Sequence, residues 1–330
     1  MRGMLWQPAL AAFVVTLVFL QLLVSQFGRR LVLDRPNERS LHAHPVPRTG
    51  GLAIIAGIAA GCLIGQPGFG VTLGLAGALA AVSFLDDVFG LRTLLRLALH
   101  LAAASVMLII ELRFPGWALF AVFALAIAWY ANLYNFMDGS DGLAGGMALI
   151  GFGAYGAAAA LSGTHPLAEL SLTLAAAAAA FLTRNFHPAS IFMGDVGSVP
   201  LGFLAGALGL IGWNDGIWPL WFPVLVFAPF VCDATLTLVR RLLRGERVWQ
   251  AHREHYYQRL VRMGFGHRGT AAIEYAVMLA CAAIALLARE ATVPLQIVAL
   301  AIATSGLIAI AVWVDLRWAR FSARPEGAGT

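Results

Sequence analysis

Residues 116–146, GWALFAVFALAIAWYANLYNFMDGSDGLAGG, join a long apolar run to a short polar segment. The apolar run has the roughly 20 residues that an α-helix needs to cross about 30 Å of hydrocarbon. The polar segment places two amides and two carboxylates three residues apart, at Asn132, Asn135, Asp138 and Asp141. Glycines around them let the backbone approach a ligand closely. The stretch therefore predicts a membrane-spanning helix that ends in a polar site.

The composition of the whole chain agrees with a membrane protein. Of its 330 residues, 60% are hydrophobic and 12% are charged. Soluble domains average about 45–50% apolar and about 25% charged residues. These values exclude a soluble enzyme, a disordered chain and a nucleic-acid-binding module. The 22 basic residues are all arginine and form short clusters between apolar runs, a pattern that is typical of membrane helices.

Ten further stretches are long and apolar enough to be membrane spans. With the first they predict an all-α, polytopic integral membrane protein of about eleven transmembrane helices, forming one membrane-embedded domain over residues 1–330. The predicted spans are 5–27, 50–66, 70–88, 94–112, 116–136, 142–162, 167–184, 198–212, 218–239, 268–288 and 295–314.

The arginines predict the orientation of these spans. Apart from Arg2, Arg113 and Arg289, all of them lie on one side. The positive-inside rule makes that side cytoplasmic, with the N-terminus outside and the C-terminus in the cytoplasm. The polar residues concentrate in the cytoplasmic loops, which predicts a site facing the cytoplasm. Those loops lie at about 28–49, 86–95, 135–142, 185–198 and 240–267.

Two further loops carry aspartates. SFLDDVFG, residues 83–90, places Asp86 and Asp87 side by side at a membrane interface, where a cation, an arginine or a raised pKa must offset their repulsion. A solvated helix end with Arg92 or Arg96 as ion-pair partner remains an alternative. FMGDVGS, residues 192–198, holds Asp195, a candidate metal ligand. The alternative is that Asp195 or Ser198 caps the next helix, which does not exclude metal binding.

The last long loop contains WQAHREHYYQRL, residues 249–260. If this segment is helical, His252 and His255 share a face. No third zinc ligand is evident, and the neighbouring Arg253 favours phosphate binding. A basic amphipathic surface helix is the alternative. The first loop is also cationic, with Arg48 near its end, and either substrate phosphates or phospholipid headgroups explain that charge.

Together the five loops bring carboxylates that suit Mg²⁺ and arginines that suit phosphates to one side of the membrane. This combination predicts phosphoryl transfer, and a lipid as second substrate explains why the site lies at a membrane.

Several of these motifs resemble one known family. PVPRTGG at 45–51, DDVFG, NFMDGSDGLAGG, FMGDVGS and the His-Arg-x-His segment are similar, in this order, to motifs of the polyprenyl-phosphate N-acetylhexosamine-1-phosphate transferases. The resemblance implies transfer of an N-acetylamino-sugar 1-phosphate from a UDP-sugar to undecaprenyl phosphate. Such a reaction uses Mg²⁺, for which Mn²⁺ can substitute, and releases UMP.

The resemblance also implies roles for single residues. Asp86 corresponds to a proposed base toward the lipid phosphate, Asp195 to a Mg²⁺ ligand, and Phe192 to a ring that stacks on uracil. The expected catalytic residues are Asp86, Asp87 and Asp195, and the expected metal ligands are Asp195, Asp87 and Asn135. The expected substrate-binding residues are Asn132, Asn135, Asp138, Asp141, Phe192, Arg48, His252, Arg253 and His255.

This chain lacks lysine and the three successive histidines of the peptidoglycan enzyme in that family. We therefore expect an O-antigen-type initiating enzyme of the bacterial inner membrane, acting on GlcNAc or a deoxy amino sugar. The segment Trp249–Gln258 is expected to select the sugar, with Tyr256 and Tyr257 offering it an apolar face. No nucleic-acid partner is expected, and a homodimer is left open.

A secondary transporter is the alternative function. Arg96, His100, Asp233 and Glu274 lie within predicted spans and could form a charge relay. The clustering of polar residues at one face argues against it.

Overall fold

The computed structural model describes most of the chain, namely residues 6–25, 33–34, 46–112, 116–248, 250 and 252–323. Of the predicted loop at 28–49, residues 28–32 and 35–45 lie outside that part, as do Trp249 and Ala251.

Thirteen α-helices make up most of the described residues. They are α1 Trp6–Val24, α2 Gly50–Gly65, α3 Gly70–Phe89, α4 Thr93–Glu111, α5 Trp117–Phe136, α6 Leu143–Leu161, α7 His165–Asn185, α8 Asp195–Asn214, α9 Trp221–Val226, α10 Ala228–Leu243, α11 Tyr256–Leu260, α12 Gly266–Ala288 and α13 Val293–Ser322. A π-helical turn, Val261–Phe265, joins α11 to α12, and strands β1 Leu33–Asp34 and β2 Val46–Pro47 pair antiparallel.

The helical character of the predicted spans is confirmed. Within the described ranges, nine helices are long and apolar enough to cross a membrane. Helix α2 has 16 residues, or roughly 24 Å, and is short against about 30 Å of hydrocarbon. The count of eleven spans and the orientation of the termini stay predictions.

The predicted span at 218–239 is not one helix. It divides at Phe227 into α9 and α10, with Pro229 in the first turn of α10. Proline lacks an N–H and its ring clashes with the carbonyl four residues earlier, so α9 cannot run on through this position. Breaks of this kind are tolerated at membrane depth where protein surrounds the backbone.

Helix α8 lies at the centre of the bundle, because every residue from Asp195 to Gly212 is buried. It packs against α3 and α5. Glycines permit the close approach to α5, as is typical of helix interfaces in membranes. A Cβ on Gly202 would lie 2.7 Å from Tyr134 Cβ and would overlap the Tyr130 carbonyl oxygen. The first turn of this central helix carries Asp195.

We expect Gly202→Ala to destabilise the protein by about 1–3 kcal/mol, because the new methyl group overlaps backbone that cannot move aside. Thermal unfolding in detergent measures the effect. Gly206→Ala is the matched control, one turn later on the same helix face, where a Cβ would meet its neighbours at 3.2 Å. Both changes gain the same helix propensity, about 1 kcal/mol. Equal melting temperatures for the two variants would contradict the packing argument.

The predicted orientation is testable in a variant whose native cysteines are replaced by alanine. A cysteine at Thr164, between α6 and α7, should react with an impermeant maleimide added to intact cells, because the arginine distribution places this turn outside. A cysteine at Arg247 should react only after the cells are permeabilised. Labelling in the opposite order would reverse the topology.

Candidate active site

A cavity of about 910 Å³ lies where α3, α5 and α10 end and where α4 and α8 begin. Eleven of the twelve residues predicted for catalysis, substrate binding or metal binding line it, although the sequence carries them in five separate segments. These residues are Arg48, Asp86, Asp87, Asn132, Asn135, Asp138, Asp141, Phe192, Asp195, His252 and His255. Arg253 is the exception and does not belong to the cavity wall. The cavity also has an apolar side, which includes Leu97, Leu125 and Leu238.

The backbone joins the PVPRTGG and FMGD segments directly. Phe192 N–H donates to the Pro47 carbonyl oxygen at 2.8 Å, and Gly50 N–H donates to the Phe192 carbonyl oxygen at 2.9 Å. A Cβ on Gly51 would overlap the backbone of Gly197. The segments can therefore approach this closely only with glycine at these positions, and their pairing carries Arg48 to the start of α8.

Asp195 is the first residue of α8 and is 6% exposed. The alternative that Asp195 or Ser198 caps this helix is wrong. Gly194 holds the N-cap position, with φ 72° and no side-chain cap hydrogen bond. That backbone conformation favours glycine, and it leaves the Asp195 carboxylate directed toward other side chains.

Three aspartates and two arginines form one ion-pair network. Arg48 contacts Asp195 directly and lies 3.6 Å from Asp87, measured from Nη1 to Oδ1. Arg96 Nη1 lies 2.9 Å from Asp86 Oδ2 and 3.8 Å from Asp195 Oδ2. Of the two arginines in the alternative interpretation, Arg96 thus pairs with Asp86, whereas Asp87 lies near Arg48, and both carboxylates also line the cavity. With all five groups ionised, the network carries one net negative charge.

Asp86 is held on both carboxylate oxygens. Its Oδ1 accepts a hydrogen bond from Leu91 N–H at 2.6 Å, and its Oδ2 accepts one from Arg96 at 2.9 Å. The side chain therefore ties the end of α3 to α4 and fixes the guanidinium of Arg96.

The polar end of α5 is attached to the start of α8. Asn135 Nδ2 donates to Asp195 Oδ2 at 3.3 Å, and Asn135 Oδ1 accepts a hydrogen bond from Ser198 at 2.8 Å. Asp138 Oδ2 accepts a hydrogen bond from Gly194 N–H at 3.2 Å. The three-residue spacing of Asn135 and Asp138 thus directs both side chains to the start of one partner helix, α8.

Asp141 belongs to a separate group at the cavity rim. Its Oδ2 lies 2.7 Å from His187 Nδ1 and accepts a hydrogen bond from Ala189 N–H at 3.1 Å. The ring of His267, from the start of α12, stacks on His187 with centroids 5.5 Å apart. Asn185 anchors the neighbouring turn, because its Oδ1 accepts a hydrogen bond from Gly142 N–H at 3.0 Å.

The segment with His252 and His255 is not the helix that would place them on one face. Helix α11 begins only at Tyr256, and His255 is its N-cap. The rings still lie close, with centroids 4.8 Å apart, because the turn folds them together. The expectation for the two tyrosines is wrong. Tyr256 and Tyr257 are 6% and 1% exposed and neither lines the cavity.

Asp233 explains this arrangement and was not predicted as a site residue. It is 6% exposed on α10, and its Oδ1 lies 3.0 Å from His255 Nδ1 and accepts Tyr256 N–H at 2.9 Å. Its Oδ2 accepts Tyr257 N–H at 3.0 Å. The sequence did contain a signal for Asp233, because it is a lone carboxylate inside an apolar run. Such a charge is costly in a membrane protein unless it has a partner.

The residues of the alternative charge relay do not form one. Arg96 and His100 line the cavity, whereas Asp233 holds the His255 turn. In the part of the chain that the structure describes, no hydrogen bond or ion pair joins Arg96, His100, Asp233 and Glu274 to one another.

Burial lowers the pKa of His252 from 6.5 to about 4, with His255 and Arg241 adding repulsion. Between these two pH values the unfolded chain binds more protons than the folded protein, so folding stability falls as pH falls through this window. We expect His252→Asn to lose less thermal stability than the wild type between pH 6.5 and pH 5. Melting curves in detergent at both pH values measure it. Equal losses would contradict the assignment.

Asp87, Asp195 and Asn135 form the donor set that best suits a hard cation. Arg48 already bridges the two carboxylates, which shows that they accept a shared positive charge. Among the residues with described positions, no group of three or more His, Cys, Asp or Glu side chains converges as a metal site would. Two carboxylates and an amide instead suit Mg²⁺, which is usually bound by one or two carboxylates together with substrate phosphates.

Comparison with known proteins agrees with the site. The model of glycosyl transferase family 4 matches residues 69–213. A "probable undecaprenyl-phosphate N-acetylglucosaminyl 1-phosphate transferase" of Bacillus subtilis is 28% identical, over 87% of this chain and 86% of its own length. A decaprenyl-phosphate N-acetylglucosaminephosphotransferase of Mycobacterium leprae is 31% identical, over 77% of this chain and 76% of its own length. An undecaprenyl-phosphate alpha-N-acetylglucosaminyl 1-phosphate transferase of Yersinia pestis is 30% identical, over 72% of this chain and 71% of its own length. The chain therefore belongs to the family of polyprenyl-phosphate N-acetylhexosamine-1-phosphate transferases.

Proposed function

We propose that this protein transfers an N-acetylamino-sugar 1-phosphate from a UDP-sugar to undecaprenyl phosphate. The observation that carries the proposal is the network of Asp86, Asp87, Asp195, Arg48 and Arg96 at one end of a cavity whose other side is apolar. Charged groups of both signs suit a diphosphate and its metal ion, and an apolar wall suits a lipid. One cavity then receives both substrates.

The chemistry is an in-line displacement at phosphorus. An oxygen of the lipid phosphate forms a bond to the phosphorus that carries the sugar, and the bond from that phosphorus to the bridging oxygen breaks. The bridging oxygen leaves with UMP. Arg48 and Arg96 are placed to hold phosphate oxygens and to balance the charge that spreads over them in the transition state.

A magnesium ion would be held by Asp87 and Asp195, with Asn135 as a further oxygen ligand. When bound, Mg²⁺ supplies positive charge that neutralises the diphosphate and its leaving group. Asn135 also orients the Asp195 carboxylate, and Ser198 fixes the Asn135 amide in turn.

We assign Asp86 a positioning role in place of the expected role as a base. A phosphate monoester loses its second proton near pH 6, so the attacking lipid phosphate is already a dianion at pH 7. Asp86 uses both oxygens to hold Leu91 and Arg96. The side chain thereby aims Arg96 at the cavity.

The nucleotide is proposed to bind at the rim, with Phe192 stacked on uracil and Asp141 beside it. Both residues line the cavity near Asn185. The sugar would then lie toward His252 and His255. GlcNAc or a deoxy amino sugar as donor, an O-antigen-type pathway, and a cytoplasmic site on a bacterial inner membrane complete the proposal.

The test is an assay of membranes that contain the protein, with undecaprenyl phosphate, Mg²⁺ and labelled UDP-GlcNAc, followed by other UDP-sugars. We expect UMP release together with a labelled lipid that extracts into organic solvent. EDTA should stop both, and added Mg²⁺ should restore both. UMP release without a labelled lipid would mean hydrolysis and would contradict the proposal.

A further inference from the structure

His100 is a buried polar side chain in the wall of the cavity. It lies on α4, one turn beyond Arg96 and on the same helix face. It is 5% exposed, and it lines the cavity beside Leu97 and Leu125. A buried polar group next to apolar walls in a membrane protein points to a function.

The hydrogen bonds of Asn132 fix which nitrogen of His100 carries the proton. Asn132 Nδ2 lies 2.6 Å from the Ala128 carbonyl oxygen and 3.0 Å from His100 Nδ1. A carbonyl oxygen only accepts, so the amide nitrogen must face it, and the same nitrogen donates to His100 Nδ1. A neutral imidazole that accepts at Nδ1 has its proton on Nε2.

The Nε2–H of His100 is therefore available to a ligand. Within the described ranges Nε2 has no hydrogen-bond partner, and it is not among the fully buried side-chain atoms. The ligand must accept a hydrogen bond and must reach about 10 Å into the bundle, measured along α4 from Thr93.

The position of the opening selects between the two substrates. Leu125, about halfway along α5, lines the cavity and is 60% exposed. The cavity thus opens sideways, toward hydrocarbon, on the side of His100. A nucleotide sugar would not enter from hydrocarbon, whereas a lipid with its chain there would bring its phosphate past His100 toward Arg96.

We propose that His100 donates its Nε2–H to a phosphate oxygen of the polyprenyl phosphate acceptor, as a binding residue held in place by Asn132. This inference rests on the proposed function, whose acceptor it locates. The donor diphosphate then lies nearer to Arg48, at the other end of the charged network.

Kinetics of two variants test the inference. His100→Leu removes the donor, and the KM for undecaprenyl phosphate should rise about tenfold, equal to about 1.4 kcal/mol, while the KM for UDP-sugar stays within twofold. His100→Gln can accept from Asn132 and still donate, so its lipid KM should stay within threefold of the wild type. A rise in the KM for UDP-sugar with His100→Leu, or a lower kcat with both KM values unchanged, would overturn the proposal.

Binding without the donor gives a second readout. Undecaprenyl phosphate should raise the melting temperature of the purified protein more than undecaprenol does. This difference should disappear in His100→Leu and persist in His100→Gln, while stabilisation by UDP with Mg²⁺ is equal in all three. No difference in the wild type, or an undiminished difference in His100→Leu, would refute the role of His100. Absence of transfer by the wild type, with the difference present, would refute the proposed function alone.

Discussion

Replacing Asp195 by asparagine is expected to lower kcat by on the order of 10³-fold, with the protein still folded. Asp195 contacts both arginines of the network and Asn135. The amide keeps the shape of the side chain but removes its charge. Binding of a hard cation is therefore weakened, and both guanidinium groups lose their ion pair with this residue. UMP release at saturating substrates, measured with the melting temperature, checks this expectation.

Asp215→Asn is the matched control, because it makes the same change at the opposite end of the same helix. Asp215 is exposed and follows the last residue of α8. We expect this variant to retain full activity. An active Asp195→Asn enzyme, or equal losses in the two variants, would remove Asp195 from the reaction.

The helices could be predicted from the sequence because the apolar runs match the thickness of a bilayer. Prediction from local sequence rules failed where a tertiary contact or a single proline determines where a helix begins or ends. The span at 218–239 divides because of Pro229, although the surrounding residues are uniformly apolar. In the segment at 249–260 the described helix begins only at Tyr256, because His255 acts as a cap that Asp233 holds.

The cavity wall could largely be predicted because its polar residues stand out against an apolar background. The contacts that these polar residues make with one another could not be predicted. Arg48 and Asp195 are 147 positions apart, and their contact depends on backbone hydrogen bonds between two glycine-rich segments. Charge signs alone would equally have matched Asp195 with several other arginines.

Tyr256 and Tyr257 illustrate a second limit of prediction from the sequence. Tyr256 and Tyr257 follow His255 directly, yet their backbone N–H groups bind Asp233. The Tyr256 ring lies beside Arg240 and Arg259, whereas the Tyr257 hydroxyl donates to the Phe136 carbonyl oxygen. The substrate role expected for the two tyrosines from their place in the sequence is therefore replaced by a structural role.

The second large effect is expected for Arg48. Its guanidinium contacts Asp195 and lies 3.6 Å from Asp87 while lining the cavity. An arginine that stabilises a transferring phosphoryl group contributes about 10³–10⁵ in kcat. We expect Arg48→Met to lower kcat by about 10³-fold. Arg48→Lys should recover only part of the activity, because an ammonium group cannot reproduce the planar fork that reaches two carboxylates.

Arg92→Met is the control for Arg48→Met, because Arg92 is an exposed arginine at the same end of the bundle that does not line the cavity. Its activity should stay within twofold of the wild type. The separate KM values decide the role of Arg48. A large fall in kcat with a modest change in the KM for UDP-sugar indicates charge stabilisation in the transition state, whereas a higher KM at unchanged kcat would indicate uniform binding of the donor. Full activity of Arg48→Met would mean that the ion pair with Asp195 only fastens the PVPRTGG segment to α8.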